Sequence, residues 1–272
     1  VNTDASSGTD RTRGGADAFR ALHHGRLPGD PLVLPGPWDA ASARVFAEAG
    51  FPALATPSAG IAAGLGHADG ATPAGEMFAA VARIARAVDV PVSADVEDGY
   101  GLPAGELVER LLEAGAVGCN LEDSRGGALK DPNEQAEFLA AVRSAAGDRL
   151  FVNARVDTFV HGDGDPGQAI RRAASYVAAG ADCVYPILAP VDVLPLLRAG
   201  IQGPLNVLAR LDGAGPSPAE LGGLGATRIT FGPGLQRRAA QALRGIADEL
   251  RGSTDALPGA GAELRGSTAE PG

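Results

Sequence analysis

The sequence predicts an α/β fold, a closed (β/α)8 barrel of the TIM type, from three observations. Short β-rich runs alternate with segments of helical composition from one end of the chain to the other. Eight such pairs fit within the 272 residues. A small motif recurs at the helix ends, Glu48-Ala49-Gly50, Glu113-Ala114-Gly115, Ala178-Ala179-Gly180 and Arg198-Ala199-Gly200, each with a strand soon after. Glycine just past a helix takes the left-handed cap, so the motif reads as a repeated βα unit. The competing doubly wound sheet would favour a glycine-rich phosphate turn after the first strand, and Gly36-Pro37-Trp38-Asp39 is not one.

The elements follow in order. Residues 1–15 are rich in Gly, Ser, Thr and Asp and are expected to be a disordered tail. A helix over 16–24 is placed to plug the N-terminal end of the barrel, with His23 and His24 at its end in a structural role. Strands are expected at 31–36, 53–58, 90–97, 118–123, 150–156, 183–188, 204–209 and 228–233. Helices are expected at 40–49, 76–88, 104–114, 134–145, 166–179, 191–199, 218–223 and 234–251. Residues 16–251 thus form one catalytic domain, and 252–272, with Gly-Ser-Thr twice, a second disordered tail.

Composition narrows the function. A net charge of −10 argues against a general nucleic-acid-binding surface. No apolar run approaches a membrane span, and the polar start has no signal-peptide core. Cys119 and Cys183 lie in apolar strand-like runs and read as buried free thiols. A cytoplasmic protein is expected.

Barrel active sites gather at the C-terminal ends of the strands. That rule selects Trp38 and Asp39 after strand one, Ser58, Ala59 and Gly60 after strand two, and a long loop reaching His67 and Asp69. Strand three runs into Asp95, Glu97 and Asp98, and two-residue alternation puts Asp95 and Glu97 on one face. Two carboxylates side by side repel, and a hard divalent cation such as Mg2+ resolves the repulsion. Strand four adds Asn120 and Glu122 on one face, strand five Asn153, Arg155 and Asp157, and strand seven Asn206. Arg155 is the one strand-borne arginine beside the acids, and its planar fork suits a carboxylate or phosphonate. An ion pair with Glu122 or Asp157 is the alternative. A metal and an arginine together describe a site for a small anionic acid. Tyr100, His67, His161 and Ser124 are the nearby groups able to carry protons or touch substrate.

The segments 36–44, 58–60, 65–70, 93–101, 120–124 and 153–157, in this order, resemble the isocitrate lyase/phosphoenolpyruvate mutase superfamily over about residues 16–250. The resemblance implies a Mg2+-dependent enzyme, with Mn2+ as a substitute ion, that makes or breaks a C–C or P–C bond in a 2-oxo or 2-hydroxy acid. It implies that Asp69, Asp95, Glu97 and Glu122 hold the metal, partly through water, with Asp95 the direct ligand. Glu97 stands where the family has aspartate. Arg155 and the backbone near Ser58, Ala59 and Gly60 would grip the substrate, with Asn206 lining the site. It also implies a homo-oligomer, a dimer or a tetramer, with the last helix exchanged between subunits.

The chain departs from the family after strand four. Isocitrate and methylisocitrate lyases carry a Lys-Lys-Cys-Gly-His run there, and phosphoenolpyruvate mutase a longer gate. Here the segment reads Asp123-Ser124-Arg125-Gly126-Gly127-Ala128-Leu129-Lys130-Asp131, a glycine-rich loop without cysteine or histidine. The expected activity is a C–C lyase acting on a small oxo- or hydroxy-dicarboxylate through an enolate. The rivals are phosphonate mutase or hydrolase chemistry, one-carbon transfer to a 2-oxo acid, and a barrel that binds acids without turnover.

Overall fold

A computed structural model describes residues 15–255, with side chains to Gly252. Most of both expected tails lies outside the described residues. In chain order the strands are β1 (Leu32–Val33), β2 (Leu54–Ala55), β3 (Val92–Asp95), β4 (Gly118–Leu121), β5 (Ser124–Arg125), β6 (Ala128–Leu129), β7 (Phe151–Val156), β8 (Cys183–Pro186), β9 (Asn206–Leu208) and β10 (Arg228–Thr230). Two parallel ladders hold eight of them, β2-β3-β4-β7-β8 and β1-β10-β9. The ring closes at both seams. A parallel bridge joins Val184 to Leu205, and the Ala55 N–H donates to the Pro35 carbonyl at 3.1 Å. All eight strands expected from the sequence are present, each shorter than its apolar run.

Strand alternation divides the barrel into an outer and an inner set of side chains. Ala94, Cys119, Leu121, Ala154 and Val184 pack outward into the main core with the helices. Inside, the N-terminal end is apolar: Leu32, Leu34, Ala53, Phe151 and Cys183 meet Ala16 and Phe19 of the helix over 15–22. This is the expected plug. Phe19 meets Phe151 edge-on at 5.2 Å, and His23 stacks on Phe151 at 4.1 Å. Burying a ring of this size stabilises by roughly 1.5–3 kcal/mol. Above the plug the interior turns polar, with Ser93, Asp95, Asn120, Asn153, Asn206 and Arg228 all buried. Branched aliphatics fill many barrels at this level, so the polar lining marks the route from plug to mouth.

Helix starts follow their caps. Asp39 and Ser42 form a capping box, as do Ser217 and Glu220. Asp131 and Asp165 cap helices Pro132–Ala146 and Pro166–Ala178, each opened by proline. Of the four repeated helix ends, Gly50, Gly115 and Gly180 take positive φ as expected. Gly200 does not; it closes helix Leu194–Gly200, where a Cβ would stand 2.6 Å from Ile170 Cδ1. Its glycine serves close packing of two helices.

The structure corrects the sequence reading in several places. Residues Ser58–Leu65 are helix, where a loop was expected. The stretch Ser-Ala-Gly-Ile-Ala-Ala-Gly-Leu has no polar–apolar period to announce a helix. The segment after β4 is an antiparallel hairpin, β5 with β6, where an irregular loop was expected. A short helix, Thr158–His161, follows β7. The segment 191–199 divides into a 3-10 turn, Val191–Val193, and the helix Leu194–Gly200, with Pro195 in its first turn. The last helix, Gly234–Asp255, runs beyond 251 into the expected tail.

The chain divides into two compact units, Val1–Gln236 and Arg237–Gly272. The first holds the barrel. On the helix of the second, Leu243, Ile246 and Leu250 share one face and are exposed. Among the described residues no helix is long and apolar enough to cross a membrane.

Candidate active site

The C-terminal ends of the strands open onto a cavity of about 650 Å³, a size suited to a small molecule. Asp69, Asp95, Glu97, Asp98 and Glu122 line it, facing Arg125 and Arg155. Asp95 is the deepest of these acids. It ends β3 opposite Asn120 of β4 and is 9% exposed. Its Oδ2 accepts from Ser58 Oγ at 3.1 Å and from the Ser58 N–H at 3.4 Å, at the start of helix Ser58–Leu65. A helix start offers unpaired N–H groups and positive potential, which suits a carboxylate.

Glu97 reaches the cavity by another route than strand alternation. β3 stops at Asp95, and Glu97 has φ +52°, followed by positive φ at Gly99, Tyr100 and Gly101. A left-handed turn, not the pleat, brings the second carboxylate round to the mouth. Its N–H donates to Asp95 Oδ1 at 3.4 Å. Burial, then Asp95, Asp69 and Asp98, push the Glu97 carboxyl up to about 7. Burial likewise raises Asp95, against the pull of Arg155 and Ser58. Burial also raises Glu122; Arg155 opposes it, while Asp95, Asp157 and Glu97 add to it.

Arg155 is gripped from two sides. Its Nη1 donates to Glu122 Oε1, and its Nε and Nη2 donate to Asp157 at 2.8 and 3.0 Å. Asp157 also accepts from Ser124 Oγ. The Asp157 N–H donates to Asp123 Oδ1 at 2.7 Å, and Asp123 Oδ2 accepts from Tyr176 and Arg172. The ion-pair alternative for Arg155 therefore holds with both acids at once. Burial works against the Arg155 charge, but Glu122 and Asp157 outweigh it and hold its pKa up.

Of the residues singled out from the sequence, Asp69, Asp95, Glu97, Glu122, Ser58, Ala59, Ser124 and Arg155 line the cavity. Trp38, Gly60, Tyr100 and Asn206 are not among its lining residues. Trp38 packs against the main core, and Gly60 lies over Pro57, where a Cβ would stand 2.8 Å from Cγ. Asn206 is buried lower in the barrel, donating to Thr230 Oγ1 at 3.2 Å. The Tyr100 ring meets Phe78, and its buried hydroxyl has no hydrogen bond of good geometry, although it neighbours Glu97 closely enough to favour that group's ionised form. His67 pairs with Glu76 at 3.2 Å, whereas His161 does line the cavity. Cys119 and Cys183 are buried and free, and burial pushes both thiols up to about 12.

Two residues without an assigned role from the sequence also face the cavity. Asn120 Oδ1 accepts from Asn153 Nδ2 at 2.8 Å and from Arg228 Nη2 at 3.4 Å. With its oxygen committed below, its amide donors remain for the cavity it lines. Its parity with Glu122 was the available signal. Arg125, on the hairpin, carried no signal except its nearness to Glu122 in sequence.

The donor set fits a hydrated hard cation. The five acids that line the cavity are all oxygen donors, and Glu97 Oε1 is buried without a hydrogen-bond partner. Burial and mutual repulsion raise three of them, a burden that a divalent ion would relieve. Among the described residues no three His, Cys, Asp or Glu side chains converge as a ready-made cage. Mg2+ keeps several waters and needs one or two carboxylates, so an open arrangement suits it.

Comparison with known proteins places this chain in a family. The family model for phosphoenolpyruvate phosphomutase matches residues 19–251. The chain belongs to the isocitrate lyase/phosphoenolpyruvate mutase superfamily. An uncharacterised protein of Mycobacterium tuberculosis strain H37Rv is 35% identical, over 85% of this chain and 89% of its own length. A solved structure from Burkholderia cenocepacia J2315, provisionally named a lyase/mutase, superposes with a TM-score of 0.83 at 34% identity, covering 92% of this chain and 94% of its own. The crystal structure of 2,3-dimethylmalate lyase gives 0.77 at 29% identity, covering 92% and 91%. Members of the superfamily include lyases and mutases, and the barrel described above is their fold.

Proposed function

We propose that the protein is a Mg2+-dependent lyase that cleaves, or in reverse forms, a C–C bond in a small 2-oxo or 2-hydroxy dicarboxylic acid. The observation that carries this reading is the single cavity lined by Asp69, Asp95, Glu97, Glu122 and Arg155. Asp95 would hold Mg2+, or Mn2+ in its place, with Glu97, Glu122 and Asp69 engaged through water. Bound there, the ion would polarise the oxygen on the substrate's second carbon and its adjacent carboxylate.

The chain's own groups supply the rest. The Ala59 and Gly60 N–H groups stand in the first turn of helix Ser58–Leu65, the Ala59 one on the cavity wall, and favour an anion. Arg155, fixed by Glu122 and Asp157, presents a rotationally locked guanidinium. For a 2-hydroxy acid, the hydroxyl proton passes to a protein base and the bond between the second and third carbons breaks. The electron pair leaves with the departing fragment as an enolate, which then takes a proton. Glu122 and Ser124, which line the cavity, are proposed to move these protons, and Tyr100 to act through the Glu97 carboxyl beside it. Burial and the neighbouring acids raise the Tyr100 phenol, so its part is that of a donor.

The hairpin Ser124–Leu129 lacks the cysteine and histidine of the isocitrate and methylisocitrate lyases, which favours a dicarboxylate over their tricarboxylates. The similarity to 2,3-dimethylmalate lyase supports an alkylmalate. The second reading, P–C bond chemistry on phosphonopyruvate, is favoured by the match to the phosphomutase family model. Assays of 2,3-dimethylmalate, 2-methylmalate, oxaloacetate and phosphonopyruvate with Mg2+ separate the two by product. Product from an alkylmalate that disappears in Asp95→Ala supports the lyase. Turnover unchanged in Asp95→Ala overturns the mechanism. Mg2+-dependent thermal stabilisation with no product from any of the four favours an acid-binding barrel.

A cytoplasmic homo-oligomer, dimer or tetramer, with the last helix exchanged, completes the proposal. The exposed stripe Leu243, Ile246 and Leu250 supports it. A monomer by light scattering counts against it.

A further inference from the structure

The cavity holds two arginines, and their circumstances differ. Arg155 already faces two carboxylates, Glu122 and Asp157. Arg125 faces one, through a hydrogen bond from its Nε to Asp98 Oδ2, and its side chain is 59% exposed. We propose that Arg125 is the specificity-determining cation of this enzyme, which exchanges Asp98 for the distal carboxylate of a dicarboxylic substrate. The proposal rests on the lyase reading above and names a subsite within it.

Geometry on three sides supports the assignment. Arg125 sits in β5, two residues beyond a firmly held hairpin base. There the Lys130 N–H donates to the Asp123 carbonyl at 2.9 Å, and Lys130 Nζ donates to the Glu122 carbonyl at 3.0 Å and to Gln135 Oε1 at 3.1 Å. Beyond Arg125 the turn is Gly126-Gly127, with φ of +57° and +81° and nothing within 4 Å of a Cβ at either. The backbone of Arg125 is thus positioned from the base, its exposed side chain rests on Asp98, and the turn beyond it is uncrowded. Asp98 also lines the cavity, so the exchange of partner takes place at the cavity wall. Solvent around the exposed Arg125 screens the pair, and Asp98 keeps the Tyr100 N–H at 2.9 Å when Arg125 leaves, so a substrate carboxylate can compete for the guanidinium.

The chemistry calls for such a group. The acids that line the cavity outnumber its arginines, and the cation proposed at Asp95 serves the end of the substrate that carries the second carbon's oxygen. When the bond to the third carbon breaks, the electron pair moves onto the departing fragment and its carboxylate gains charge. A guanidinium held at that carboxylate meets the charge as it develops. Arg125 is the cavity's second arginine, and Arg155 is already matched twice.

The test is a cycle between ligand and protein. 2-Methylmalate and 2-hydroxy-2-methylbutyrate differ by a methyl group in place of the distal carboxylate, and oxalate fills the cation end alone. With the Mg2+-loaded wild-type protein, isothermal titration or, where 2-methylmalate is cleaved, its KM against the inhibition constant of 2-hydroxy-2-methylbutyrate is expected to favour 2-methylmalate by at least about tenfold, within the range of a charged hydrogen-bonded pair. Arg125→Ala is expected to bind the two alike while oxalate affinity stays within about twofold. Asp98→Asn, which releases Arg125, is expected to tighten 2-methylmalate more than oxalate. A preference for 2-methylmalate that survives Arg125→Ala overturns the proposal. So does an equal loss of all three ligands, which would mark a general field effect. Failure of oxalate to bind the Mg2+-loaded wild type locates the fault in the lyase reading itself, and the subsite falls with it.

Discussion

Two arginines point into the barrel, Arg155 near its mouth and Arg228 below it, and the protein keeps them in opposite ways. Arg155 is locked between Glu122 and Asp157. Arg228 is 0% exposed and, among the described residues, takes part in no salt bridge. Its Nη2 reaches Asn120 Oδ1 at 3.4 Å, its Nε and Nη1 find no partner, and its guanidinium stands 5.9 Å from the centre of the Phe19 ring. Burial lowers the pKa of Arg228, whereas the acids hold that of Arg155 up. The comparison teaches that charge in this barrel is matched at the cavity and tolerated beneath it. A buried cation without an anion costs stability, and its retention points to what lies above it, the Asn120 amide and the acid cluster.

The largest effect expected is on the matched side. Arg155→Met strands Glu122 and Asp157 without their cation and is expected to lose about 3–5 kcal/mol in urea unfolding. A loss under about 1 kcal/mol would break the comparison, because it would show the acids already neutral.

The next effect lies on the unmatched side, at His23. Burial, then Arg228, lowers its pKa from 6.5 to about 3, and its Nδ1 bonds to the Phe19 carbonyl at 2.7 Å. The ring stays neutral in the fold while the unfolded chain takes up a proton below its ordinary pKa. Stability is therefore lost as pH falls from 6.5 towards 3. The slope from this group is at most about 1.4 kcal/mol per pH unit. His23→Phe keeps the stacking on Phe151 and should flatten that limb relative to wild type, with no difference in slope above pH 6.5. Parallel acid limbs in melts of the two proteins would remove His23 from the account.

The smallest stability effect is expected from Arg228→Met, within about 1 kcal/mol of wild type or more stable, since a poorly matched charge is exchanged for apolar volume. The same variant should raise the His23 pKa towards its ordinary value, which an NMR titration of the imidazole reads directly. A large loss of stability would show that the polar interior pairs Arg228 more fully than its hydrogen bonds indicate.

Much of this was legible in the chain. The eight strands were readable because each is an apolar run closed by turn residues, whereas the helix expected from 134 begins at Pro132 behind its Asp131 cap. The strand-end rule found Asp95, Glu122 and Arg155, since a pleat has a fixed period. Its reasoning does not hold where the backbone leaves the pleat: Glu97 lines the cavity as expected, but through a left-handed turn, and Leu188, at the end of the expected sixth strand, lines it at positive φ (+59°). The helix Ser58–Leu65 was missed because small residues buried on several sides carry no amphipathic pattern. Trp38 and Asn206 were placed at the site by proximity to strand ends, yet one packs outward and the other lies a layer too deep.

Sequence alone determined the barrel, its plug, the acid-rich third and fourth strands and the resemblance to a family, because those depend on local period and on residue identity. Tertiary structure decided which charges meet. The two clasps on Arg155, the solitude of Arg228 and the single loose partner of Arg125 each join residues brought together by strand order and turn geometry. Electrostatic energy depends on distance and burial, and neither is written in the order of the residues.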